Sequence, residues 1–132
     1  MRRRGKGKTY SIEEHREELM EFLTELKSEC VIVEGIKDKR ALKIFGFSDV
    51  HVLNKKKGLF EFSSEFKGRV LVLTDFDPEG ERIAKKLTEL LLKVGCKVER
   101  EERNKLRRLF LKNKINTVES LRKIFTQKYK SI

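Results

Sequence analysis

Apolar positions along this chain switch repeatedly between a helical and a strand-like spacing. Over residues 11–28, Leu19, Phe22, Leu23 and Leu26 fall on one helical face, and Ser11 and Glu14 have capping-box spacing. Cys30-Val31-Ile32-Val33 then reads as a short buried strand. Residues 37–45 return to helical spacing with Ala41, Leu42 and Phe45 inward, and Gly46 occupies the C′ position. Residues 50–53 read as a second strand. A mixed connection over 54–68 carries Lys55-Lys56-Lys57-Gly58 and is expected to hold a short helix over 62–66. Val70-Leu71-Val72-Leu73 is the third strand. Residues 78–94 form a strong helical pattern with Pro78 at the first position, Ile83, Leu87, Leu90 and Leu91 as its buried stripe, and Gly95 at its end. A fourth strand is expected over 97–99. Leu106, Leu109 and Phe110 point inward from a helix over 101–112. Asn116 or Thr117 then caps a final helix to about residue 129, with Val118, Leu121, Ile124 and Phe125 on one side.

Strands of four residues joined through helices imply an α/β fold, a parallel sheet of about four strands covered on both faces. Ligands of such sheets bind beyond the carboxyl ends of the strands. Glu34 directly follows the first strand, and Asp75 and Asp77 directly follow the third. The three acids should therefore converge at one edge, although about forty residues separate them in sequence.

The run Thr74-Asp75-Phe76-Asp77-Pro78-Glu79-Gly80-Glu81-Arg82 gives that edge a chemistry. Two carboxylates about 4 Å apart repel by roughly 1 kcal/mol in water and about 4 kcal/mol at an effective dielectric of 20. A divalent cation removes that cost, and hard oxygen donors suit magnesium, with manganese as a second candidate. Gly35 and Gly80 would let a phosphate approach backbone N–H groups. Structural roles compete at several positions. Asp77 before Pro78 is a good N-cap in any protein, Glu34 could cap the helix that follows it, and Glu79 and Glu81 suit any helical first turn.

The acids stand out because the chain as a whole is basic, with 132 residues and formal net charge +11. Residues 1–8 carry five basic side chains and no acids, and residues 97–132 carry a net +8, leaving −2 for residues 9–96. A near-neutral body between basic flanks favours a polyanionic partner, RNA or DNA. Lys37, Lys55, Lys56, Lys57, Arg103, Arg107 and Arg108 are the candidate phosphate contacts. Cys30 and Cys96 are too few for a disulfide framework or a cysteine zinc site, and His15 and His51 lie outside any metal-binding spacing. No segment approaches the roughly 20 apolar residues of a membrane span. A cytoplasmic protein with reduced thiols is expected.

Val31-Ile32-Val33-Glu34-Gly35, followed by Lys37 and Asp38, together with Asp75-Phe76-Asp77, resembles the Toprim domain family, whose signature is a strand ending in Glu-Gly and a later strand ending in Asp-x-Asp. The stretch from Asp75 to Ala84 is similar to type IA topoisomerases. The stretch from Glu34 to Asp38 is similar to the ribonuclease that matures 5S ribosomal RNA and to small stand-alone Toprim proteins. The resemblance covers roughly residues 28–100. It implies a Rossmann-like three-layer fold. Composition and periodicity add a disordered basic tail over 1–8, then one domain over 9–132 with a helical basic C-terminal extension over 101–130. The resemblance also implies a division of labour, in which Asp75, Asp77 and Glu79 bind magnesium and Glu34 is a general acid or base. Type IA topoisomerases use a tyrosine in a separate domain, whereas the tyrosines here are Tyr10 and Tyr129. The expected activity is thus magnesium-dependent phosphoryl transfer on nucleic acid, as a nuclease or RNA-maturation endoribonuclease. The alternatives are a non-catalytic nucleic-acid-binding module and primase-like nucleotidyl transfer. A homodimer or partner protein would complete a site of which one domain forms a single wall.

Overall fold

The computed structural model describes residues 11–124. The expected basic tail, and the expected final helix from Phe125 to Tyr129, lie outside them. Nine elements follow in the order α1 (Ile12–Leu26), β1 (Cys30–Val33), α2 (Ile36–Ile44), β2 (Asp49–Val52), α3 (Leu59–Ser63), β3 (Arg69–Val72), α4 (Pro78–Lys93), β4 (Lys97–Val98) and α5 (Arg100–Lys112). The four strands form one sheet in the order β2-β1-β3-β4, and every pairing is parallel. This is the expected α/β architecture. Among the described residues, no helix is long and apolar enough to cross a membrane.

Strand alternation divides the core into two. Val31, Val33, Val50 and Leu71 face a cluster built with Leu19, Leu23, Leu42, Leu106 and Phe110, so α1, α2 and α5 cover that side. Ile32, Val70, Val72 and Val98 face the other way, against Phe62, Phe66, Ala84, Leu87 and Leu91 of the α3–α4 layer. Each central strand is apolar on both faces, as a doubly covered sheet requires. In α4, Ala84 completes the buried stripe and Ile83 is half-buried.

Helix ends follow the chemistry of their residues. Ser11 caps α1 with a full capping box, its hydroxyl accepting from Glu14 N–H at 3.1 Å while Glu14 accepts from Ser11 N–H at 2.8 Å. Gly46 and Gly95 stop α2 and α4 at φ +92° and +93°, which side chains resist. The last segment departs from expectation. Thr117 does not begin a continuous helix: residues 117–120 turn, with Ser120 N–H donating to the Thr117 carbonyl at 3.2 Å, and helix starts only at Leu121. Here the Thr117 hydroxyl pairs with the Ser120 hydroxyl at 2.6 Å, and the backbone bonds that follow span three residues, Leu121 N–H to the Val118 carbonyl and Arg122 N–H to that of Glu119, as in a tight turn.

The strand order fixes where a ligand fits. From β1 the chain crosses through α2 to β2 on one side, and from β3 it crosses through α4 to β4 on the other. The winding of the sheet reverses between β1 and β3, and the crevice at such a reversal lies beyond the carboxyl ends of those two strands.

Candidate functional site

Glu34 and Asp75 meet at that crevice. Glu34 leaves the end of β1 and its Oε2 accepts the backbone N–H of Asp75 at 2.9 Å. It does not cap α2. Gly35 is the N-cap residue there, and Asp38, one turn on, reaches back to accept Gly35 N–H at 3.1 Å. Asp38 is only 7% exposed, so this acid is driven into the same crevice wall.

Asp75 is held from the opposite side. Its Oδ1 accepts Val118 N–H at 2.8 Å, and the next residue, Phe76, donates its N–H to the Asn116 carbonyl at 2.7 Å. Residues 116–118 thus form a strap over the loop after β3. Asp77 caps α4, its Oδ1 accepting Gly80 N–H at 2.7 Å, with Pro78 in the first turn. The helix start packs hard on the loop. A Cβ at Gly80 would lie 2.0 Å from the Asp75 carbonyl oxygen, so no other residue fits without a shift. The buried Thr74 hydroxyl donates to the Gly80 carbonyl at 2.7 Å and closes the turn.

Arg103 grips the same loop from α5. Its guanidinium donates to the carbonyls of Val72 at 3.0 Å, Thr74 at 2.9 Å and Asp75 at 3.3 Å, and to Glu81 Oε1 at 3.0 Å. It lies 4.6 Å from the centre of the Phe76 ring, which meets Phe110 edge-on at 4.9 Å. The charge pattern marks Arg103 as a phosphate contact. The structure corrects this: Arg103 is 6% exposed and satisfies strand-end carbonyls that would otherwise be buried without donors. Arg107 is half-buried and committed to both oxygens of Glu81, at 2.6 and 2.9 Å.

The electrostatics follow from this crowding. Burial pushes Asp75 up to about 6, the charges of Asp38, Glu34 and Asp77 push the same way, and the Val118 N–H opposes them. Asp38 is raised by burial above all, with Glu34 and Glu119 adding to it. Glu81 is held low, first by its bond to Arg107. Glu79 is also low because Arg82 binds both its oxygens, at 2.7 and 3.2 Å, on the exposed side of α4.

Glu34, Asp75 and Asp77 are therefore brought together, and Asp38 joins them. Glu79 sits at the rim in its pair with Arg82. Lys37, Lys55, Lys56 and Arg108 are exposed, Lys55 close enough to Glu79 to influence it, while Lys57 is half-buried and paired with Glu65. The donor set suits a hard cation: all oxygen, with net negative charge. Among the described residues, no three of these carboxylates bring oxygens within 4.8 Å of one another. Magnesium would therefore have to bind here through one or two carboxylates and keep several waters.

Two features escape the sequence pattern. The strap at 116–118 bonds the loop through backbone atoms, and its side-chain signal, the buried Val118, marks only a core position. Arg103 leaves a clearer signal, since it shares the inward face of α5 with Leu106 and Phe110, a position from which a solvent-facing role is hard to reach.

Comparison with known proteins agrees with the geometry. The model of the Toprim domain matches residues 29–108. A UPF0292 protein of Methanosarcina acetivorans is 38% identical over 110 residues, covering 80% of this chain and 76% of its own. Another, of Thermococcus onnurineus, is 36% identical over 107 residues, covering 80% and 79%. A solved structure of a protein from Aquifex aeolicus superposes with a TM-score of 0.61 at 30% identity, over 85% of this chain and 99% of that one. With a four-stranded parallel sheet, a Glu-Gly strand end and an Asp-x-Asp strand end meeting at its point of reversal, this chain belongs to the Toprim domain family, as a small UPF0292 protein.

Proposed function

We propose that the crevice between β1 and β3 is a magnesium-dependent phosphoryl-transfer site that cleaves nucleic acid. The observation that carries this reading is the pairing of Glu34 with Asp75 at the sheet's point of reversal, where burial, reinforced by the neighbouring acids, raises Asp75 to about 6. Carboxylates kept at such cost in a basic protein are characteristic of functional sites.

Asp75 and Asp77 would hold the ion, each keeping one oxygen beyond the one bonded to backbone. Glu79 joins them only by giving up Arg82. Bound magnesium would supply charge neutralisation at phosphate oxygens and an acidified water. Glu34 stands next to Asp75 with one oxygen on its N–H, and the other oxygen is placed to take or give a proton on the reacting group. The amino-terminal ends of α2 and α4 follow the β1 and β3 strand ends, and their helix dipoles would favour a phosphate beside the ion. Lys37, Lys55, Lys56 and Arg108 then hold flanking phosphates.

The test is cleavage of structured RNA and DNA by purified protein with and without magnesium. Metal-dependent products are expected, and Glu34→Gln and Asp75→Asn should abolish them in folded protein. Tight binding without any cleavage would sink the nuclease reading and leave a nucleic-acid-binding module, for which the exposed lysines around the crevice already provide contacts.

A further inference from the structure

A second constellation lies at the opposite end of the sheet from the acids. Cys30 is the first residue of β1, and Asp49 and His51 are the first and third of β2. The parallel register sets Cys30 beside Asp49 and Ile32 beside His51. Strand alternation therefore points Cys30, Asp49 and His51 to one face, the face on which Ile32 and Phe66 pack. Among the described residues, these three are the group of His, Cys, Asp or Glu side chains whose ligand atoms all lie within 4.8 Å of one another. His51 Nε2 stands 2.7 Å from Asp49 Oδ1, and the ring meets Phe66 edge-on at 5.1 Å, so its orientation is fixed on both sides.

We infer that Cys30, Asp49 and His51 bind one zinc-class divalent cation at the β1–β2 edge, separate from the acidic crevice. The donor set decides the class. A thiolate and an imidazole select zinc and its transition-metal neighbours and discriminate against magnesium, which prefers oxygen alone. The acidic crevice has the opposite preference, so the two ends of the sheet sort metals by hardness. Three protein ligands leave a fourth, solvent-facing position, since the side chains of His51 and Asp49 are 44% and 52% exposed. The ion would tie the edge strand β2 to the central strand β1 at their amino-terminal ends. A redox role for Cys30 fits less well. Burial and the neighbouring Asp49 carboxylate raise its thiol to about 11, which makes the free thiol a poor nucleophile. Sequence alone hides this site, because zinc spacing rules rest on ligands paired close in sequence, and eighteen residues separate Cys30 from Asp49, with no second cysteine or histidine beside Cys30.

The test uses the full chain, reduced and metal-free, titrated with cobalt(II) as a spectroscopic stand-in for zinc. One equivalent should produce a thiolate-to-cobalt charge-transfer band in the near ultraviolet. Zinc should bleach it and excess magnesium should not. Cys30→Ser should remove the band. His51→Ala and Asp49→Ala, at exposed positions that leave the core intact, should weaken cobalt binding by more than about tenfold, the loss expected even for an outer-sphere partner. Cys96→Ala and Asp75→Asn should leave the band in place. If Cys30→Ser fails to fold, the two exposed variants decide the matter. The inference is overturned by the absence of a thiolate band at one equivalent, by unchanged affinity in both His51→Ala and Asp49→Ala, or by a band that depends on Cys96 instead of Cys30.

Discussion

Glu34 and Asp75, forty-one residues apart in sequence, are joined by a 2.9 Å hydrogen bond from the backbone N–H of Asp75 to the carboxylate of Glu34. That bond and the proposed proton transfer make separable demands on Glu34. Gln retains an acceptor for the N–H, and Ala does not. Glu34→Gln should keep wild-type stability and lose cleavage. Glu34→Ala should lose cleavage and also about 2 kcal/mol of stability, the usual worth of a hydrogen bond to a charged acceptor. Urea unfolding of the two variants beside a cleavage assay distinguishes the roles. Equal stability in both would show that the bond contributes little.

Asp75 should reveal itself in the pH dependence of stability. Its folded-state pKa of about 6 lies above the ordinary 3.8, so the folded protein holds this proton more tightly than the unfolded chain. Its contribution therefore falls as pH rises between about 4 and 6, and stays low above that. Asp75→Asn removes the cost while keeping an acceptor for Val118. The variant should be more stable than wild type at pH 7.5 by about 2 kcal/mol, after discounting for partial solvent exposure, and should lose that advantage near pH 4. Magnesium should raise the melting temperature of wild type and not of Asp75→Asn. A melting series across pH, with and without the ion, checks both statements.

Gly80 offers a purely steric test. Gly80→Ala places a methyl group against the Asp75 carbonyl, with backbone on both sides of the clash. The helix start or the Asp-x-Asp loop must move, at a cost of about 3 kcal/mol, near the upper end for overpacking. Cleavage should fall even at temperatures where the variant remains folded, which circular dichroism and a parallel activity assay would show.

Arg103 and Arg108 share a helix and should behave in opposite ways. Arg103→Ala leaves three strand-end carbonyls without this donor, while Glu81 keeps Arg107, and should cost about 1–3 kcal/mol, the penalty of an unsatisfied buried polar group. Arg108→Ala should leave stability unchanged and weaken nucleic-acid binding. On duplex DNA, its log–log salt slope should shrink by about 0.9 for each phosphate that Arg108 neutralises in the wild type. Fluorescence anisotropy at several salt concentrations measures the second effect, and denaturant unfolding the first.

Much of this is legible in the residue pattern, for definite reasons. Each helix and strand has a period that its burial enforces. The placement of Glu34 and Asp75 at one edge follows from parallel strands whose carboxyl ends must align. Most of what escapes notice depends on contacts with no local signature. Arg103 is the exception, since a count of charges makes it surface while its place on the inward face of α5 points to burial. Thr117 looks like a helix cap because its spacing is correct, yet its hydroxyl pairs with the Ser120 hydroxyl and the backbone after it closes in three-residue turns. His51 looks ordinary because its partners Cys30 and Asp49 are assembled by strand register and not by spacing.

The strap at 116–118 bears on where this domain ends. The Toprim match itself stops at residue 108, eight residues before the carbonyl of Asn116 and ten before the N–H of Val118. A protein cut at that boundary would keep every signature acid yet release the Asp75 carboxylate and the Phe76 amide to solvent, and would strip Phe110 from the ring of Phe76. The heritable motif and the cooperative unit are thus different lengths of chain. The strap is itself part of that unit, because Val118 gives its N–H to the Asp75 carboxylate while its side chain is fully buried in the core beside Leu121 and Phe110.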